Sequence, residues 1–104
     1  MATSTIQIND ISQVLECWYG YESTENGFIK LKKPTKKLGR NYKPVGVLSA
    51  TNGIICLIGY EDPSDSSQFY VKCMNWNMQS SPADGTTVGC YVIFAVYLHE
   101  NINL

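Results

Sequence analysis

The sequence lacks the long apolar run that a membrane-spanning helix needs. It is also poor in charge, because 16% of its 104 residues are charged, against about 25% in an ordinary soluble domain. The apolar share of 44% is normal for a folded protein, so the chain is not disordered. These features exclude a coiled coil, a collagen and a membrane protein. They predict one globular domain with no membrane insertion.

Motifs of enzyme chemistry are also missing. The single histidine, His99, follows the last apolar stretch, so we expect it at the rim of the fold and not in a catalytic triad. The chain contains no nucleophile elbow, P-loop, zinc-protease motif or dinucleotide fingerprint. Its acidic residues fall mostly in turn-like segments, unlike the converging pair of a glycosidase. We therefore expect a protein that is not an enzyme and needs no cofactor or metal.

The four cysteines are not arranged as ligand or redox pairs. They are Cys17, Cys56, Cys73 and Cys90, and no two of them form a C-x-x-C motif. A zinc ribbon or a thioredoxin-type site is therefore not expected. Each lies in an apolar or alternating stretch, so we predict small buried hydrophobic residues. Disulfides in a secreted domain are the alternative, and the spacing selects no connectivity.

An alternation of period two dominates the chain. In residues 68–75, Phe69, Val71 and Cys73 fall on one side, which predicts a half-exposed strand. The other strand candidates are residues 5–8, 13–19, 28–31, 45–49, 54–60 and 88–98. About seven short strands separated by turns predict an all-β fold, an antiparallel β-sandwich in the form of a jelly-roll-like knob. Residues 1–12 are an N-terminal strand or linker, and residues 13–104 form the single sandwich domain.

Turn signals separate the strand candidates. Asn26-Gly27 and Thr51-Asn52-Gly53 are typical of hairpin turns, because Asn and Gly tolerate positive φ. The segments 61–67 and 77–86 are polar and are predicted to be loops.

The last strand candidate is apolar on both faces. Cys90, Val92, Phe94, Val96 and Leu98 line one face, and Tyr91, Ile93, Ala95 and Tyr97 line the other. The first face packs against the partner sheet of the sandwich. A domain of this size has few further layers, so we expect identical subunits to cover the second face. This places Tyr91, Ile93 and Tyr97 at an oligomer interface.

Two segments combine aromatic rings with short polar side chains, residues 18–23 and 75–79. A Trp or Tyr ring covers the C–H face of a sugar, while amide groups bind the neighbouring hydroxyls. On this basis we predict a saccharide site. Its residues are Trp18, Tyr21, Asn75, Trp76 and Asn77. The alternative is that both tryptophans are core or interface anchors.

Seven of the eight basic residues lie between positions 30 and 43. The remaining chain holds one base, Lys72, and nine acids. The basic segment suggests an anion patch formed by Lys32, Lys33, Lys36, Lys37 and Arg40. Only one of its bases is an arginine, and Tyr42 is the only interleaved aromatic residue, so no nucleic-acid partner is expected. The alternative is a solvated edge strand whose lysines prevent aggregation.

The pattern across residues 28–98 resembles the small C-terminal tip domains of bacteriophage tail fibres and baseplate receptor-binding proteins. It is carried by residues 43–48, with Pro44, Gly46 and Val47, by residues 54–60, by residues 69–75 ending at Asn75, and by the final apolar strand. The resemblance implies a β-sandwich knob that forms a homotrimer, binds cell-surface glycan, belongs to the virion tail and is made in the host cytoplasm. It adds no site residue. A structural β-domain that joins proteins in a virion or an intracellular assembly is the alternative.

Overall fold

The computed structural model describes residues 2–7, 13–34 and 41–97, and these residues form seven strands. The strands are β1 (Ala2–Gln7), β2 (Gln13–Ser23), β3 (Phe28–Lys32), β4 (Asn41–Ser49), β5 (Ile54–Asp62), β6 (Asp65–Asn75) and β7 (Thr87–Tyr97). The all-β prediction is confirmed. No helix long and apolar enough to cross a membrane is present in the described ranges.

The strands form two antiparallel sheets packed face to face, which confirms the predicted antiparallel β-sandwich. Sheet A has the order β1-β2-β7-β4, and sheet B has the order β3-β6-β5. The chain changes sheet between β2 and β3, so the pair β3–β6 is nested inside the pair β2–β7. Nested antiparallel pairs that lie in two facing sheets are the strand arrangement of a jelly roll. At the N-terminal side, Ala2–Gln7 form β1, which pairs with β2.

The core lies between the sheets and is built from alternate residues of the central strands. In β6, Phe69, Val71 and Cys73 are almost completely buried, as the alternation predicted. The inner face of β7 is equally buried from Val88 to Val96. The rings of Phe69 and Phe94 meet edge to face across the sandwich, with their centroids 5.6 Å apart. Burying each large apolar side chain stabilises the fold by roughly 1.5–3 kcal/mol.

Both predicted turns are present, but the prediction that they close β-hairpins was wrong. Asn26 and Gly27 have φ values of 54° and 81°, and two backbone hydrogen bonds between Glu25 and Phe28 close the turn. Gly53 has a φ of 81° in the second turn. Both turns lead from a strand of sheet A to a strand of sheet B. The local sequence therefore predicted where the chain reverses, but not which strands pair.

The segment 61–67 was predicted to be a loop, and this prediction was wrong. Only Pro63 and Ser64 form a turn, and strand continues on both sides of it. Asp62 Oδ1 accepts hydrogen bonds from the backbone N–H of Ser64 at 2.9 Å and from its Oγ at 2.8 Å. Because the carboxylate satisfies the donors of the turn, polar residues can extend β5 and β6 to the end of the sheet.

All four cysteines are free. Cys56, Cys73 and Cys90 are buried on the inner faces of the two sheets, as predicted, whereas Cys17 is half-buried. Hydrogen bonding to Cys56, together with burial, raises the pKa of the Cys73 and Cys90 thiols. These two thiols therefore stay protonated and act as small apolar residues of the core.

Candidate functional site

Trp18 lies on the inner side of β2, opposite the buried Val92. Its indole Nε1 donates a hydrogen bond to Glu16 Oε1 at 3.0 Å, and its ring meets Tyr42 edge to face at 6.4 Å. Its remaining surface lines a cleft of about 300 Å³ at the border of the sheets. Trp18 therefore belongs to the packing of the sandwich, which was the alternative to a binding role.

Tyr21 lies three residues along the same strand, so it points to the opposite side from Trp18. It is exposed on the outer face of sheet A, beside Tyr19, with ring centroids 6.1 Å apart. The alternation of β2 already separates these two residues. Trp18 and Tyr21 therefore lie on opposite faces of sheet A.

Asn75, Trp76 and Asn77 lie at one end of sheet B, where β6 ends. The Asn75 amide donates to Ser80 Oγ at 2.8 Å, and Asn77 Oδ1 accepts from the backbone N–H of Gln79 at 2.9 Å. These amides hold their own turn together. The Trp76 side chain is 73% exposed at the tip of this turn. The five predicted site residues thus lie in three separate places.

A cluster of three aromatic rings covers the outer face of sheet B. We call it the aromatic platform, and its members are Phe28, Tyr60 and Tyr70 from three different strands. The rings of Tyr60 and Tyr70 are 4.7 Å apart and tilted by 30°, and Phe28 meets them at 5.8 and 6.0 Å. Tyr60 is 54% exposed. The platform therefore presents ring surface to solvent although it is packed internally.

An irregularity in β5 brings Tyr60 onto the platform. The pairing of β5 with β6 changes register between Ile58 and Glu61. At Gly59, an added Cβ would lie 2.5 Å from the carbonyl oxygen of Tyr70, so only glycine fits this approach. The shift places the Tyr60 ring beside the Tyr70 ring. A strand pattern of strict period two does not reveal this neighbour.

Two lysines and one carboxylate border the platform. Lys30 Nζ lies 2.9 Å from Asp62 Oδ2 and 5.5 Å from the centroid of the Tyr70 ring. Lys72 Nζ lies 4.9 Å from the centroid of the Phe28 ring. The backbone N–H of Ser64, and after it Lys30, lower the pKa of Asp62 to about 2. Asp62 is therefore ionised at neutral pH and fixes the position of Lys30.

A cavity of about 250 Å³ opens beside Tyr60 and Tyr70. Its other walls include Lys43 and Glu61, which are charged, and Pro44, which is apolar. Glu61 forms an ion pair with Lys33, and the hydrogen bond from Lys33 lowers the pKa of the Glu61 carboxyl. The cavity thus combines an aromatic wall with two charged groups, of which Glu61 is held in place by Lys33.

Part of the predicted anion patch lies outside the described residues, namely Lys36, Lys37 and Arg40. Lys32 is exposed on β3, opposite Gln68 and on the same outer face as Lys30. Lys33 is half-buried and paired with Glu61. The structure instead brings Lys72, which is distant in sequence, to the face that carries Lys30 and Lys32.

The predicted oligomer interface lies on the outer face of sheet A. Tyr91 is 40% exposed and Ile93 is half-buried, while Tyr97 is described only as a position in β7. The exposed apolar residues of this face are Tyr19, Tyr21, Leu48 and Tyr91, which we call the tyrosine face. The rings of Tyr19 and Tyr91 are 5.2 Å apart. Neighbouring strands therefore cover this face only in part.

In the part of the chain that the structure describes, no group of three or more histidine, cysteine or acidic side chains is arranged to hold a metal ion. Comparison with known proteins finds no family model, curated protein or solved structure that matches the chain. The platform was missed because its members are 10 and 32 residues apart in sequence. The only signal was the position of Tyr70 on the exposed side of β6.

Proposed function

We propose that the protein is a non-enzymatic saccharide-binding domain and that the aromatic platform is its binding surface. The observation that carries the proposal is the exposure of Tyr60 within a cluster of three rings outside the core. Exposed contiguous ring surface bordered by polar groups marks an interaction site. The site differs from the one predicted from sequence, although the class of ligand is the same.

The platform offers what a sugar ring needs on its less polar side. A pyranose has a face of C–H groups, and a flat aromatic ring such as Tyr60 covers that face and excludes water from it. A tyrosine also carries a hydroxyl, which forms a hydrogen bond at the edge of the same contact. Leu57, which is exposed opposite Lys72, extends the apolar surface along β5.

Polar groups next to the rings supply partners for the hydroxyl groups of a sugar. Glu61 and Lys43 line the cavity beside Tyr60, and Lys30, which is held by the buried Asp62, borders Tyr70. The cavity, at about 250 Å³, lies below the range of ~300–1,000 Å³ in which drug-sized ligands bind. Its size suits one sugar ring, with neighbouring units of a chain lying across the platform.

The platform is held rigid by its own strands. Tyr70 contacts both other rings, and Phe28 lies beneath the Lys72 amine. The Asp62 carboxylate receives two hydrogen bonds from Ser64 as well as the ion pair with Lys30. A surface that is ordered before binding loses little conformational entropy on binding, which favours affinity for a small polar ligand.

The same proposal includes the setting implied by the resemblance, a homotrimeric tip domain of a phage tail fibre or baseplate in the virion tail. Its support is the jelly-roll winding and the tyrosine face. Tyr19, Tyr21, Leu48 and Tyr91 are uncharged, so identical copies meet there without repulsion between like charges. Host-surface glycan is the ligand in this setting.

A glycan array with the purified protein tests the binding proposal, using two matched variants. Tyr60→Ala removes the exposed ring of the platform, and Tyr19→Ala removes a ring of similar exposure, 47% against 54%, from the opposite sheet. We expect the wild-type protein and Tyr19→Ala to bind the same glycans and Tyr60→Ala to lose binding by at least about tenfold, as for truncation of a central aromatic contact. Equal binding by both variants, or no binding by any of the three proteins, contradicts the proposal.

The alternative, a structural domain that joins proteins, is favoured by the tyrosine face alone. In that case Leu48→Lys disrupts assembly, whereas Tyr60→Ala leaves every measured interaction unchanged. The glycan array and co-purification together separate the two functions, because a structural domain ignores isolated glycans and co-purifies with a protein partner that Leu48→Lys loses. A wild-type protein that stays monomeric at micromolar concentration contradicts the homotrimer.

A further inference from the structure

We infer that the saccharide carries an acidic group and that Lys72 is the residue that binds it. The inference rests on the proposed function and specifies its ligand. It starts from the pairing of β3 with β6, which places Phe28 opposite Lys72 and Lys30 opposite Tyr70 on one face. The single base outside the basic segment of the sequence thereby joins the aromatic platform.

Lys72 differs from the other lysines near the platform in its surroundings. Lys30 is paired with Asp62, and Lys33 is paired with Glu61. The positive charge of Lys32 helps to lower the pKa of the nearby Asp65 carboxyl, and the charge of Lys43 helps to lower that of Glu61. The neighbours of Lys72 across the sheet are Phe28 and Leu57, which are both apolar. Among the described lysines of this face, Lys72 is therefore the one that has apolar neighbours on both sides across the sheet.

The Lys72 amine lies where it can bind an acidic group of a sugar, which aromatic rings alone cannot bind. Lys72 Nζ is 4.9 Å from the centre of the Phe28 ring, and that ring is 5.8 Å from Tyr60. A sugar stacked on the exposed Tyr60 ring thus directs a substituent at its edge toward Lys72. A carboxylate, sulfate or phosphate at that edge forms a charge-assisted hydrogen bond beside an apolar surface, where little water screens the contact. A neutral sugar leaves the amine with water only.

The experiment uses an array that pairs each neutral oligosaccharide with its sialylated, uronic-acid, sulfated or phosphorylated form. Three variants accompany the wild-type chain. Lys72→Gln removes the charge, Lys72→Arg keeps it, and Lys32→Gln removes a charge that already has Asp65 nearby. We expect the wild-type protein to prefer the acidic member of a pair and Lys72→Gln to lose about tenfold in affinity for it, as for one charge-assisted hydrogen bond.

Further results sharpen the assignment. Lys72→Gln is expected to bind the neutral member as the wild-type protein does, Lys72→Arg to retain the preference, and Lys32→Gln to change little. Added salt is expected to weaken binding of acidic saccharides by the wild-type protein more than by Lys72→Gln. A thermal melt of each variant shows that the chain is folded.

The array results distinguish failure of the inference about the acidic group from failure of the proposed saccharide-binding function. Equal binding of neutral and acidic members overturns the inference and leaves the saccharide-binding function intact. A preference that survives in Lys72→Gln overturns the role of Lys72. Absence of binding to every saccharide on the array overturns both the inference and the proposed function.

Discussion

Sheet A and sheet B each carry exposed aromatic rings on the outer face, and the two faces differ in their charge. The tyrosine face of sheet A is uncharged at Tyr19, Tyr21, Leu48 and Tyr91. The platform of sheet B has Lys30 and Lys72 next to its rings, and Lys32 lies farther along the same face. An uncharged apolar face suits contact with an identical copy, whereas rings beside fixed charges suit a polar ligand that differs from the protein.

The largest expected effect comes from the core that both faces share. Phe69→Ala removes a buried ring that packs against Phe94 across the sandwich. We expect a loss of about 3–5 kcal/mol in the free energy of unfolding, because the cavity cannot collapse between two sheets. Leu48→Ala, on the exposed tyrosine face, is expected to change it by less than about 1 kcal/mol. Urea denaturation measures both, and equal losses contradict the description of the core.

The second-largest expected effect on stability compares glycines at the register shifts of β5 in sheet B and β4 in sheet A. Gly59→Ala in β5 introduces a Cβ 2.5 Å from the Tyr70 carbonyl oxygen, so the backbone must shift. Gly46→Ala, beside the corresponding irregularity in β4, meets Ile93 at an ordinary distance of 3.7 Å. We expect Gly59→Ala to destabilise the protein by about 1–3 kcal/mol and Gly46→Ala by clearly less. The same denaturation experiment checks this, and the reverse order is the contrary outcome.

The tyrosine face is tested by adding charge to it. Tyr91→Lys places the same charge on every copy at the centre of the proposed self-contact. We expect association to weaken by at least about tenfold, which corresponds to ~1.4 kcal/mol. Sedimentation equilibrium measures the change, with Lys72→Gln on the other sheet as the control that still associates. If Tyr91→Lys assembles like the wild-type protein, the contact lies elsewhere.

The smallest effect concerns the carboxylate that holds one edge of the platform. The pKa of Asp62 in the folded protein is about 2, below its usual value of 3.8. The ionised Asp62 carboxylate therefore contributes its full stabilisation of the folded protein above about pH 4, and this contribution is lost as the pH falls toward 2. We expect Asp62→Asn to lose part of this acid dependence. Ser64→Ala removes one of the two hydrogen bonds from Ser64 and is expected to be intermediate. Melting temperatures between pH 2 and 6 test this, and identical acid profiles for the three proteins contradict it.

The fold was predictable from sequence to the extent that it depends on local alternation. Phe69, Val71 and Cys73 were assigned to the core from their spacing alone, and the structure buries all three. The same rule, applied to β2, separates Trp18 from Tyr21. The saccharide-site prediction grouped Trp18 with Tyr21 by their closeness in sequence, and the structure places them on opposite faces of sheet A.

The platform depends on information that the local pattern does not contain. Tyr60 reaches Tyr70 only because β5 and β6 change register at Gly59, and that change depends on how two strands pair. Phe28 joins them from a strand that pairs with β6 across a long sequence separation. Sequence alternation assigned Tyr70 to an outer face, but it did not reveal the rings beside it.

The most direct test of the central claim is a map of where a saccharide binds. Amide chemical shifts of isotope-labelled protein are recorded during titration with the strongest ligand from the array. The account predicts that the shifts change at Phe28, Tyr60, Tyr70 and Lys72, with no change at Tyr19 or Tyr91. Changes confined to the tyrosine face or to the turn around Trp76, or no changes at all, contradict it.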